Sequence, residues 1–223
     1  MQKVLFLALI LAACTPEKKE LTLDEKLALI QSKPSVVNVL DLYKNQLYEV
    51  DCSEVDQLLY DIYEADQELR TTGEGSDDTD YNNLIAVLSI IKHCGFPTNK
   101  DLGSEESALA IPLVLQHQSN QDISSYYLND IIKSADEGVI PKDFIAMMID
   151  RQLMQNGFKQ MYGSQIVNNQ LYELEDPENV DLRRKEYGFR RTIEEYLDGY
   201  GLTLQEALSN PFPVDINKRP NLN

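Results

Sequence analysis

The sequence predicts a mostly α fold, built as a single compact helical domain over residues 23–210. Two observations carry that prediction. Apolar residues recur at spacings of three and four along most of the chain, and Gly- or Pro-containing breaks separate the stripes. A length of 223 residues is also ample for one domain with a substantial core.

The elements follow in order. Val55, Leu58, Leu59, Ile62 and Leu69 form one stripe, which predicts a helix through residues 55–70. Thr72-Gly73-Glu74-Gly75-Ser76-Asp77-Asp78 is a loop by composition. Tyr81, Leu84, Ile85, Leu88 and Ile91 form the next stripe, and Gly95-Phe96-Pro97-Thr98 stops it. Helical patterning resumes at Leu113–Gln118, Tyr126–Ala135, Phe144–Leu153 and Thr192–Leu197. Gly138 followed by Pro141 has the form of one helix ending and another starting. Residues 164–178 carry no helical stripe and read as an irregular excursion or a small hairpin. Residues 211–223, rich in Pro and Asn, read as a loose tail.

Charge and composition exclude several functions. A net charge of −17 repels phosphate backbones and anionic headgroups, so no nucleic-acid partner is expected. Only two histidines occur, His93 and His117, in different segments and without H-E-x-x-H spacing. Asp77-Asp78-Thr79-Asp80 lacks the order of an EF-hand loop. No phosphate-binding or dinucleotide fingerprint is present, so neither a metal nor a cofactor is expected. Cys52 and Cys94 either pair, as exported proteins allow, or sit apart as buried thiols; spacing alone does not decide.

The first residues resemble the signal peptide and lipobox of a bacterial lipoprotein. Lys3 precedes the apolar run Val4–Ala13, which is too short for a spanning helix, and Leu11-Ala12-Ala13-Cys14 closes it. The resemblance implies cleavage after residue 13, lipidation at Cys14, and a polar tether within residues 14–22. The membrane partner is then reached through the lipid on Cys14, and the location is the cell envelope. Thr15 stands where some bacteria use aspartate for inner-membrane retention, so the outer membrane is the expected destination.

Several polar residues interrupt the apolar stripes. Asp66 lies four after Ile62, with Arg70 one turn later on the same face. Asp150 and Arg151 sit among Met147, Met148, Leu153 and Met154, while Gln116 and His117 follow Leu113 and Val114. Arg183 and Arg184 come one turn after Val180. Buried charges cost several kcal/mol unless paired, so these groups are expected to face one another or a shared polar cavity.

In order, Asp66-Gln67-x-x-Arg70, Gly95-x-Pro97-Thr98, Gln116-His117, Asp150-Arg151, Gln160-x-Tyr162-Gly163-Ser164-Gln165 and Val180-Asp181-x-Arg183-Arg184 resemble an uncharacterised bacterial domain family. The resemblance spans residues 58–197. Ser164 stands where that family often has Thr, which keeps a hydroxyl. It brings no activity with it.

The leading expectation is a pocket for a small polar or anionic ligand, or for a charged segment of an envelope protein. Asp66, Arg70, Gln116, Arg151, Gln160, Tyr162, Gln165, Arg183 and Arg184 would bind, since guanidinium forks suit carboxylate and phosphate groups. The alternative is a hydrolase-like enzyme with His117 as general base and Asp150, or Asp66, orienting it. Ser164 follows a glycine, but the G-x-S-x-G text of a nucleophile elbow is absent. A third account makes the whole set a satisfied buried network that braces the fold.

Overall fold

The computed structural model describes residues 20–33, 35–72, 77–98 and 101–220. The expected signal segment, Cys14 and most of the expected tether lie outside the described residues.

Helix α1 (Leu23–Gln31) starts where the tether was expected to end, because Thr22 and Glu25 form a reciprocal capping box there. Its Leu27 and Ile30 face the core, and the buried Lys26 ammonium pairs with Glu175. A short α2 (Val39–Tyr43) leads into α3 (Val55–Thr72) and α4 (Asp77–Cys94), both as the stripes predict. Cys52 and Cys94 are joined by a disulfide, with Cα atoms 5.6 Å apart, which closes the open end of the α3–α4 hairpin.

Helix α5 (Glu105–His117) is the axis of the molecule and packs most extensively on α3. Ala110, Ile111, Leu113, Val114 and Leu115 are all buried, so α5 is apolar on every face. Gln116 and His117 are polar because the helix leaves the core at that point, and both are half-buried. Helices α6 (Gln121–Asp136) and α7 (Lys142–Gln155) complete the main core, joined by the Gly138–Pro141 turn.

Residues 166–171 form a two-stranded antiparallel hairpin, β1 (Ile166–Val167) with β2 (Gln170–Leu171). Asn168 and Asn169 both take positive φ, 49° and 59°, as a two-residue turn between twisted strands requires. Three short helices follow: α8 (Val180–Glu186), α9 (Ile193–Asp198) and α10 (Leu204–Ser209). With the hairpin they enclose a second, smaller core of Leu171, Leu174, Val180, Ile193, Leu197 and Ala207.

The segment after Pro211 differs from the expected loose tail, since it is tied down as far as Pro220. Phe212 bonds through its backbone to Leu171 and Glu173, and its ring stacks on Tyr172 at 6.2 Å. Arg219 donates to the Gly157 carbonyl at 2.7 Å and covers the Phe158 ring. The segment supplies hydrogen-bond partners to backbone groups that would otherwise have none, which its Pro- and Asn-rich composition does not reveal.

Candidate functional site

The polar residues that interrupt the apolar stripes fall into three groups. The first is a buried brace. Asp150, on α7, is fully buried, and its carboxylate accepts from the amides of Met161 (2.6 Å), Tyr162 (3.0 Å) and Ser164 (2.9 Å). The Ser164 hydroxyl donates to the same carboxylate at 2.9 Å. Burial pushes the Asp150 carboxyl up, against the pull of these donors, yet every partner treats it as an acceptor.

The same loop is gripped from the other side by α8. Arg183 donates to the Met161 carbonyl at 2.8 Å and to the Glu175 and Asp176 carbonyls. Arg184 is buried; it donates to the Tyr162 and Arg191 carbonyls and lies over the Phe189 ring at 4.3 Å. Gln160 is also buried and bonds Gln165 and Tyr172 within the loop and hairpin. The Tyr162 ring packs between Tyr187 and Phe189, and burial pushes its hydroxyl pKa up. Gly163 turns the loop at φ 71°, and a side chain there would collide with Ile193. Asp150, Gln160, Tyr162, Arg183 and Arg184 thus meet one another's loop rather than solvent. Their chemistry is to hold a backbone.

The second group lies where α3, α4 and α5 meet. Asp66 is fully buried and stands 2.9 Å from His117 Nδ1, while Gln67 donates to its other oxygen at 2.9 Å. Arg70 pairs with Asp80 and lies 3.5 Å from Asp66. Burial would raise the Asp66 carboxyl, but the His117 hydrogen bond and charge, with Gln67 and Arg70, outweigh it and hold it below its ordinary 3.8. An ionised Asp66 only accepts, so His117 Nδ1 carries the proton and donates. Arg70 Nε, 3.3 Å from that same nitrogen, is then a packing contact. In the neutral form of the imidazole this tautomer leaves Nε2 as an acceptor, the arrangement by which a carboxylate orients the ring.

A depressed Asp66 pKa stabilises the fold at pH above 3.8, and the contribution is lost as pH falls through the lower folded value. Asp66→Asn is therefore expected to cost about 1–3 kcal/mol at pH 7, and less as pH approaches 3. Urea unfolding of both proteins across that range checks it. A gap that stays constant with pH would contradict the assignment.

The third group lines a cavity of about 530 Å³ between α7, the hairpin and the end of α9. Gln116, Arg151 and Gln165 come together here, joined by Ser164. Phe144, Met147, Ile166, Asn169, Tyr196 and Tyr200 form the rest, none of them among the site residues expected from the sequence. Their signal was present in part: Phe144, Met147 and Arg151 are spaced three and four apart, hence on one face of α7. That spacing also describes a core stripe, and the tyrosines arrive from a different helix.

Among the described residues Arg151 is the only charged side chain lining this cavity, and it has no hydrogen-bond or ion-pair partner there. Burial pushes its pKa down, the mark of a cation partly removed from water without a counter-charge. Comparison of the chain with family models, curated proteins and solved structures finds no match. The site must be read from its own chemistry.

A cleft of similar volume, about 540 Å³, opens between the start of α5 and the α6–α7 turn. Its Lys142 stands 3.7 Å from Asp136, and Glu105 adds further negative charge. It offers an anion nothing comparable to Arg151.

Proposed function

We propose that the protein is a lipid-anchored cell-envelope protein that binds a small polar or anionic ligand in the Arg151 cavity. The observation that carries this reading is the guanidinium of Arg151. In a chain of net charge −17, an arginine without an acidic partner among the described residues is costly to keep half-buried, unless a ligand supplies the missing charge. Gln116 and Gln165 flank it with amides, the kind of convergent polar group that orients a ligand. The hydrolytic alternative is less favoured, because His117 is not among the residues lining the cavity.

The test uses inorganic phosphate and acetate as probes against the full chain, followed by calorimetry. Arg151→Gln is expected to weaken the tighter of the two by about tenfold or more, the scale of one charge-assisted hydrogen-bond pair. Its folding stability is expected to stay within about 1 kcal/mol of wild type or to rise, since no internal partner is lost. Equal affinity in both proteins would remove the reading.

Envelope anchoring is supported by the Leu11-Ala12-Ala13-Cys14 text and by a disulfide suited to an oxidising compartment. Among the described residues no helix is long and apolar enough to cross a membrane. Cys14→Ser is expected to move the protein from the detergent phase to the aqueous phase in a Triton X-114 partition. Wild-type protein found in the aqueous phase would contradict anchoring.

A further inference from the structure

The Arg151 cavity has three chemical features, and together they describe its occupant more narrowly than a charge does. The first is one guanidinium fork that has no partner among the described residues, with no second cation among those lining the cavity. A single fork matches a monoanionic carboxylate in charge and in planar geometry, whereas a phosphate dianion calls for more positive charge than one arginine supplies.

The second feature is unspent amide capacity. The side chains of Gln116 and Asn169 have no hydrogen-bond partner among the described residues. Gln165 spends its amino group on Ser164 and Met147 and keeps its carbonyl oxygen open. Gln116 and Asn169 each offer donors and an acceptor close together and Gln165 adds an acceptor, which suits hydroxyl groups that both give and take a hydrogen bond.

The third feature is an aromatic wall. Phe144, Tyr196 and Tyr200 line the same space, and the two tyrosine rings lie 5.3 Å apart at 59°. The Tyr196 hydroxyl donates to the Ser164 carbonyl at 2.9 Å, which fixes its ring. Tyrosine rings offer an apolar face beside a polar edge, suited to a body with C–H groups on one side and hydroxyls at the rim.

We infer that the cavity takes a carboxylated sugar ring, its carboxylate on Arg151, its hydroxyls on the amides and its C–H face on the tyrosines. This rests on the anion-binding reading above and deepens it. The volume of about 530 Å³ falls within the range of small-molecule sites, about 300–1,000 Å³, and exceeds what a bare carboxylate needs.

The experiment titrates the full chain by calorimetry with glucuronate, galacturonate, N-acetylmuramate, glucose, acetate and inorganic phosphate. At least one of the three sugar acids is expected to bind about tenfold or more tightly than glucose and than acetate. Arg151→Gln should remove the advantage over glucose. Tyr200→Ala, at an exposed position, should remove the advantage over acetate while leaving acetate binding unchanged. If acetate or phosphate binds through Arg151 as tightly as every sugar acid, the sugar inference fails and the anion reading stands. If no anion responds to Arg151→Gln, both fail. Sugar-acid binding that Tyr200→Ala leaves unaltered also overturns the inference.

Discussion

Replacing Asp150 with alanine is expected to destabilise the protein by about 3–5 kcal/mol. The carboxylate is the common acceptor for three backbone amides and one hydroxyl, all at the heart of the fold. Deleting it strands those donors without water, at about 1–3 kcal/mol for each group that finds no substitute. Repacking will recover part of this, which is why the total stays below the sum. Asp150→Asn keeps one acceptor oxygen but turns an amino group toward amides, so it should fall between alanine and wild type. Urea unfolding measures both. A loss under about 1 kcal/mol for alanine would mean that the loop holds itself and that Asp150 is kept for another reason.

Opening the Cys52–Cys94 bridge should cost nearly as much. The two cysteines are separated by 42 positions. Releasing a loop of that size from the unfolded ensemble corresponds to about 4 kcal/mol in the chain-entropy account. For a chain of this length that is a fall of roughly 8–16 °C in the melting temperature. Melting the double variant Cys52→Ser/Cys94→Ser beside wild type, and wild type with and without reductant, gives two independent readings. Agreement between them within about 3 °C is the expected result. A double variant that melts with wild type would show that helix packing already restricts the unfolded chain as much as the bridge does.

How much of this was legible in the sequence follows a physical line. The long helices were legible because burying one face imposes a period, and Val55 to Leu69 or Tyr81 to Ile91 display it directly. The small hairpin was only half legible: its strands are two residues each, too short for any alternation to register. The polar residues were recognisable as costly in their positions, but not what they would face. Asp150 and Arg184 meet the backbone of residues 161–164, and a peptide group looks the same whatever side chain it carries. No pattern of side chains could have separated them from Arg151, their neighbour in sequence or type, which meets a cavity instead. The cysteine pairing was undecidable for a related reason, since it depends on a distance that only the folded α3–α4 hairpin sets.

The double grip on residues 160–165 governs how the amides of this loop exchange with solvent. Asp150 takes the amide side of this loop from α7, and Arg183 and Arg184 take its carbonyl side from α8. The two cores are joined through the loop that both helices hold. The amide hydrogens of Met161, Tyr162 and Ser164 then have no local route to solvent. In deuterated water they should exchange together, at the rate set by opening of the whole molecule, and serve as its internal clock.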